Sequence, residues 1–195
     1  HALGEETLLG TEDGGRGTLE RGERDVGGLG VPARAFVAEG RVRGDHAALG
    51  RGSGPHSGKG SGKIATTLSG KEVEKDARAC FTQEFYGKTA IAPGKTYRYS
   101  LRYRTETPLQ GWGLLLIDSY TTEGEKSHRS LVSQKLPAAA QWETVSGEVA
   151  VPADAVRVRM LLYLRGQGTI WYDDAFFGDP APDAPNLLAN GGFEP

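Results

Sequence analysis

Two adjacent carboxylates, Asp173 and Asp174, stand in the middle of the aromatic segment GTIWYDDAFFG at residues 168–178. Glycoside hydrolysis uses a pair of acids that face each other across a bond, roughly 5 to 9.5 Å apart. The flanking residues have high β-propensity and glycines bound the segment, which predicts a strand. Because strand neighbours point to opposite faces, we expect a poor catalytic pair. The aspartate that faces the interior needs a cation, a set of donors or a catalytic role.

Other catalytic signals in the sequence are weak. The stretch GPHSGKG at residues 54–60 resembles a phosphate-binding loop, but Ser53 replaces its first glycine and Gly60 its hydroxyl residue. The sequence contains no G-x-S-x-G and no H-E-x-x-H motif. The N-terminal His1 is compatible with a copper-binding monooxygenase, yet its neighbours do not resemble that class. We therefore predict a protein that is not an enzyme, and a catalytic site built from the N-terminal segment is the least favoured alternative.

Composition narrows the kinds of partner and site that the sequence indicates. The length of 195 residues suits one domain, or a domain with a long irregular segment. A net charge of -2 gives no indication of nucleic acid or an anionic membrane as partner. The single cysteine, Cys80, excludes an internal disulfide and a thiolate metal site. No apolar run approaches the roughly 20 residues that a membrane helix requires.

Alternation of apolar and polar residues begins near Ile64, after a segment that holds more than half of the 29 glycines. Turn-prone residues separate the alternating segments, which predicts strands. Strands at this spacing without an amphipathic helix favour an antiparallel sandwich or barrel. The segments are YRYSLRYR at 97–104, GWGLLLIDSY at 111–120, QWETVSGEVAV at 141–151 and VRVRMLLYLR at 156–165.

The polar sides of two of these segments carry an arginine-rich surface. If the two strands share a sheet, we expect one cationic face that also contains Tyr163. A guanidinium offers a planar fork that suits carboxylates, so this face is a candidate for acidic ligands. The alternative is an ordinary solvated sheet face. The arginines are Arg98, Arg102, Arg104, Arg157, Arg159 and Arg165.

The sequence resembles the carbohydrate-binding modules of the family 4/9 type over about residues 55–178. The resemblance rests on HSGKGSGKI at 56–64, APGKTYRYSLRYRTE at 92–106 and the continuous stretch from QWETV at 141 to GTIWYDDAFFGD at 168–179. It implies an all-β fold, an antiparallel jelly-roll β-sandwich of the galactose-binding-like kind. The first 50 or so residues follow the pattern poorly.

The resemblance also implies a function. We expect a non-catalytic module that targets a larger polysaccharide-active protein, a glycoside hydrolase or a polysaccharide lyase, to a neutral or acidic glycan chain. The setting would be extracellular or at a bacterial cell surface, and the partner a polysaccharide or oligosaccharide. The alternative is a structural spacer that has lost sugar binding. The predicted ligand residues, aromatic ones to stack on sugar rings and arginines for acidic groups, are Tyr163, Trp112, Tyr120, Arg102, Arg157 and Arg159; Trp171 is a further aromatic candidate, and Trp142 is assigned to the core.

Structural calcium is a further implication of the resemblance. Members of this type hold calcium with a carboxylate from the final strand, which points to Asp173 or Asp174, and with residues of the early strands, for which Glu12 and Glu20 are the candidates. Calcium takes six to eight oxygen ligands. The alternative is that one aspartate accepts hydrogen bonds from backbone amides and binds no metal.

The C-terminal segment NLLANGGFE at 186–194 resembles the opening strand of such a module. We therefore assign residues 1–179 to the sandwich, with residues 1–55 as its glycine-rich start. Residues 180–195 are then a proline-rich linker and the first residues of a following module, and the isolated domain is expected to be a monomer. The alternative is that this segment pairs into the sheet of its own chain or of a neighbour.

Overall fold

The computed structural model describes residues 37–41, 47–52, 54–67, 78–86, 91–106, 109–122 and 127–195. These residues contain nine strands. All of them belong to the unit Val31–Pro195. Within these residues there is no α-helix, and hence none that could cross a membrane. The strands are β1 (Val37–Arg41), β2 (Ala47–Gly52), β3 (Ser61–Thr66), β4 (Arg78–Tyr86), β5 (Thr96–Thr105), β6 (Gln110–Tyr120), β7 (His128–Leu136), β8 (Glu143–Ala150) and β9 (Arg157–Gly178).

Strand β9 is 22 residues long and belongs to two layers. Its first half pairs with β4 and β6, and its second half pairs with β3 and β5. The layer β1-β4-β9-β6-β7 is called the first sheet below, and β2-β3-β9-β5-β8 the second sheet. Every pairing is antiparallel, so the predicted antiparallel β-sandwich is confirmed.

Glycines make the change of sheet possible. Gly166 of β9 faces Gly111 of β6, and their φ angles are +111° and +148°. A Cβ atom on Gly166 would lie 2.1 Å from the carbonyl oxygen of Gln110, and one on Gly111 would lie 2.0 Å from that of Arg165. Only glycine fits such an approach of two backbones at a positive φ.

The hydrophobic core lies between the two sheets. Exposure alternates strictly along β5, where Tyr97, Tyr99, Leu101 and Tyr103 are buried. Alternate residues of β6 and β9 meet them from the other strands, as their patterns predict. The largest fully buried side chains of this core are Tyr172, Phe177, Ile64, Leu101, Leu115, Ile117, Leu136, Met160, Leu162, Leu164 and Ile170.

The six arginines do not form the single cationic face that the sequence suggests. Strand β5 pairs with β9 only from Gly178 back to Ile170. The β9 segment that carries Arg157, Arg159 and Arg165 pairs with β4 and β6 instead. The arginines of β5 therefore lie on the outside of the second sheet, whereas those of β9 lie on the outside of the first sheet. The condition that the two arginine-bearing stretches share a sheet is not met.

The C-terminal residues 186–194 pack against the sandwich of their own chain. Leu188 and Phe193 are buried, and the ring of Phe193 lies 5.1 Å from that of Phe81. The Asn186 amide both accepts a hydrogen bond from the backbone of β9 and donates one to it. The predicted domain boundary at residue 180 and its alternative both stay predictions, because residues 186–194 pack on the sandwich without forming a strand.

Replacing Phe193 by Ala should lower the free energy of unfolding by about 3 kcal/mol, since the substitution leaves a cavity beside Phe81. The measurement is urea denaturation followed by tryptophan fluorescence. The matched control is Val156→Ala, because Val156 is 42% exposed and should lose far less. Equal unfolding midpoints for Phe193→Ala and the parent would contradict the packing of this segment in solution.

Candidate functional site

The two aspartates lie in a β-bulge, and this overturns the expectation that they point to opposite faces. The register between β5 and β9 shifts between Ser100 and Arg102, and Asp174 has a φ of 47°. The extra residue breaks the alternation. Both carboxylates consequently reach the same loop, residues 54–60, and not one face each.

Asp173 is fully buried and is held by backbone amides. Its Oδ2 accepts the N–H groups of His56 at 2.8 Å and Ser57 at 3.1 Å. Its Oδ1 accepts the N–H of Asp174 at 2.8 Å. Burial raises the pKa of the Asp173 carboxyl, and the three N–H groups oppose that shift without cancelling it.

Asp174 is partly exposed and holds the side chains of the same loop. Its Oδ2 lies 2.6 Å from Nδ1 of His56, and its Oδ1 accepts the hydroxyl of Ser57 at 2.5 Å. The His56 ring meets the ring of Trp142 edge-on at 5.9 Å between centroids. The Asp-Asp pair thus ties this loop to the second half of β9.

The described residues supply only part of a calcium site. Among them, no three side chains of His, Cys, Asp or Glu stand together as metal ligands do. Oδ2 of Asp173 already accepts two N–H groups, whereas Oδ1 accepts one and keeps a lone pair for a cation. The Glu194 carboxylate accepts the N–H of Lys59 with both oxygens at 3.0 Å. Glu12 and Glu20 lie outside the described residues. The calcium prediction stays a prediction.

Five of the six predicted ligand residues lie together on the outer side of the first sheet, called the first-sheet face below. In the register of β6 and β9, Trp112 is opposite Arg165, and Tyr120 is opposite Arg157. Trp112 is 37% exposed, whereas Tyr163 is 8% exposed and Tyr120 is fully buried. The sixth residue, Arg102, lies on the other side of the sandwich. Their roles as ligand residues stay predictions.

Two arginines of the first-sheet face, Arg157 and Arg159, are paired with carboxylates. Nη1 of Arg157 lies 3.1 Å from Oε1 of Glu84, and its guanidinium lies 3.7 Å from the ring centre of Tyr120. Arg159 lies between Glu84 at 3.9 Å and Asp118 at 3.8 Å. Sequence reasoning missed both acids, although Asp118 is the one charged residue of GWGLLLIDSY. The charges of this part of the face therefore balance.

An apolar cluster also lies on the first-sheet face. The outer face of an antiparallel sheet is usually polar, but here Leu114, Leu161 and Tyr163 pack with Cys80, and Leu116 joins them. The signal was present in the runs LLLI and MLL, because uninterrupted apolar residues indicate a strand that is covered on both faces.

The outer side of the second sheet, called the second-sheet face below, carries cations that stack on aromatic rings. Arg98 lies 4.4 Å from the ring centre of Phe176. Arg104 lies 4.4 Å from Trp171 and 5.3 Å from Trp142. Trp142 is therefore a half-buried member of this face and not a core residue, which corrects its assignment from the sequence.

Comparison with known proteins gives matches among solved structures only. No family model and no curated protein matches the sequence. The CBM22-1 xylan-binding domain from Paenibacillus barcinonensis is 9% identical, with a TM-score of 0.51 over 80% of this chain and 87% of that chain. This chain has the jelly-roll fold of carbohydrate-binding modules.

Two larger proteins contain the same fold. The CBM22-1 and GH10 modules of Clostridium thermocellum endo-1,4-beta-D-xylanase 10B, solved with xylohexaose, match at 13% identity and a TM-score of 0.50, over 76% of this chain and 29% of that one. The enzymatically active domain of bacteriophage CBA120 tailspike protein 4 matches at 14% identity and a TM-score of 0.53. That match covers 74% of this chain and 19% of the other chain. The chain thus spans less than a third of either protein. At these identities the likeness establishes the fold, and the resemblance to carbohydrate-binding modules is confirmed at that level.

Asp173→Asn should lower the free energy of unfolding by about 2 kcal/mol, because one of the buried acceptors becomes a donor facing N–H groups. The measurement is chemical denaturation at neutral pH. Asp183→Asn is the matched control, since it makes the same chemical change at an exposed position. Equal losses in the two variants would show that the bulge does not depend on the carboxylate.

Proposed function

We propose that the protein is a non-catalytic sugar-binding module whose first-sheet face binds a neutral polysaccharide or oligosaccharide. The observation that carries the proposal is the exposed indole of Trp112 at the margin of the apolar cluster of that face. An aromatic ring stacks on the apolar side of a pyranose and contributes contact area at a small entropic cost. The fold and the sugar-binding neighbours support the same reading.

Trp112 is well placed for this role. It is 37% exposed near the start of β6, where its neighbours on the same side of the strand are Gln110 and Leu114. Nζ of Lys135 lies 4.6 Å from the indole centre and can donate hydrogen bonds to sugar hydroxyls. Tyr163 lies in the neighbouring row, opposite Leu114, where it extends the apolar floor of the face.

Charge pairing favours a neutral chain on this face. The guanidinium groups of Arg157 and Arg159 already face Glu84 and Asp118. An acidic sugar bound here would meet both carboxylates as well as both arginines, so its charge would gain little net stabilisation. The hydroxyls of a neutral sugar have no such conflict. We therefore do not extend the predicted preference for acidic glycans to these two arginines.

The module would act as an accessory of a larger polysaccharide-active protein, a glycoside hydrolase or a polysaccharide lyase, outside a bacterial cell and beside further modules. A second candidate is the structural spacer. The burial of Tyr120 and Tyr163 favours it, because a buried ring offers no face to a sugar.

Trp112→Ala should weaken binding to a neutral chain about tenfold, which corresponds to the usual contribution of one aromatic contact. The measurement is affinity electrophoresis through gels that contain neutral polysaccharides such as xylan, β-glucan and galactan. Trp171→Ala, an equal truncation on the second-sheet face, should keep the affinity of the parent. If the parent is not retarded in any neutral gel, the spacer is the better account.

Calcium can be tested through the titration of Asp173. Without a cation the pKa of this carboxyl is raised above its ordinary value, so the folded state takes up the proton before the unfolded chain does. The free energy of unfolding of the parent, minus that of Asp173→Asn, should then rise as the pH falls through the pKa of Asp173 in the folded state. Bound calcium would lower that pKa and reverse the slope.

We propose that added calcium raises the melting temperature of the parent and that a chelator lowers it, because an ion that binds only the folded state stabilises it. Asp173→Asn should lose this response, and Asp183→Asn should keep it. A melting temperature that neither calcium nor chelator changes would refute the proposed calcium.

A further inference from the structure

We propose that the second-sheet face is a separate binding site for a polysaccharide that carries carboxylate groups. This inference goes beyond the proposed function, because it concerns the opposite side of the sandwich and a ligand of different charge. It rests on a row of cations, most of which form no ion pair with any other residue that the structure describes, and on a hollow with hydroxyl groups beside the row.

The cations follow one strand. Arg98, Arg102 and Arg104 all stand on the outer side of β5, the first two separated only by Ser100 on that side. Alternate residues of a strand are about 6.6 Å apart. Lys63 of β3 adds a fourth cation, 5.6 Å from the ring centre of Trp171. An extended chain lying along β5 would meet several positive charges in succession.

These cations differ from those of the first-sheet face in their partners. In the part of the chain that the structure describes, Arg98, Arg102 and Lys63 form no ion pair. Of the nearby acids, Asp173 is opposite Arg102 in the register of β5 and β9 and accepts three backbone N–H groups. Asp174 is bound to His56 and Ser57, and Glu148 is opposite Arg98 in the register of β5 and β8. The face thus retains positive charge that is available to a ligand.

Aromatic rings fix the arginines in place. The guanidinium of Arg98 lies over Phe176, and its Nη2 donates to the carbonyl of Pro182 at 3.1 Å. Its Nε is buried and has no hydrogen-bond partner among the described residues. Arg104 is held between Trp171 and Trp142. A fork held in position loses little entropy when it binds a carboxylate, so stacking favours recognition.

A hollow of about 420 Å³ lies beside Arg98. Ser100 and Ser146 face each other across β5 and β8 in its floor, and Phe176 forms an apolar wall. Hydroxyls, an apolar wall and a cation together match a sugar ring with a carboxylate, since a sugar offers hydroxyls, C–H groups and one charge.

The same features argue against a nucleic acid. Binding of single strands uses a continuous positively charged groove that follows the backbone. Here Glu148 lies opposite Arg98 at one end of the row of cations. Glu148 also lines the hollow and would repel a dense polyanion. We therefore commit to an acidic polysaccharide as the ligand.

The test uses polygalacturonate as the acidic probe and galactan as the neutral one, with affinity electrophoresis of the full chain at physiological salt. The parent should be retarded by polygalacturonate, and Arg102→Gln should weaken that binding about tenfold. Arg129→Gln is the matched control, because it removes the same charge from a residue that is 54% exposed on β7. It should bind as the parent does.

Three results would overturn the proposal. The first is that polygalacturonate does not retard the parent. The second is that Arg129→Gln and Arg102→Gln lose equal affinity for polygalacturonate. The third is that single-stranded DNA retards the parent as strongly as polygalacturonate does. Any neutral polysaccharide that retards the parent should retard Arg102→Gln to the same extent. Failure of this site is therefore distinguishable from failure of the neutral site at Trp112, which Trp112→Ala reports.

Discussion

The path of β9 through both sheets is the constraint on which the rest of the structure depends. Its 22 residues pair with β4 and β6 before the bend and with β3 and β5 after it. The bend requires the close approach of Gly111 and Gly166, where a Cβ atom on either residue would collide with a carbonyl oxygen. Because one strand serves both layers, its register sets which side chains every neighbouring strand presents to the core and to the outside.

The same strand gives the two outer faces their different chemistry. Its first half places Arg157 and Arg159 where β4 and β6 offer Glu84 and Asp118, so these two arginines are paired with acids. Its second half places aromatic rings beside the arginines of β5, so charges there stack on rings instead. A neutral ligand suits the first arrangement and an acidic ligand the second. The two proposals thus follow from one strand.

Sequence patterns predicted β5, β6, β8 and the two halves of β9, because alternation along these strands depends on local burial. They did not predict β4 or β7, and they divided β9 into two segments. They did not predict which arginines share a face, since pairing of β9 with four partners is a long-range property. The bulge at Asp173 was also missed, because an extra residue in one strand leaves no mark in the alternation of its neighbours. Leu114 and Leu161 lie in uninterrupted apolar runs. Alternation cannot show which face of the sheet a residue in such a run occupies, because both faces are apolar.

Hydrogen exchange with and without a neutral oligosaccharide would test the central claim most directly, because it locates the bound face without any substitution. The account predicts slower exchange in β6 and in the first half of β9, around Trp112 and Arg165, and unchanged exchange in β5 and β8. Protection of β5 and β8 by a neutral sugar, with none in β6, would contradict it.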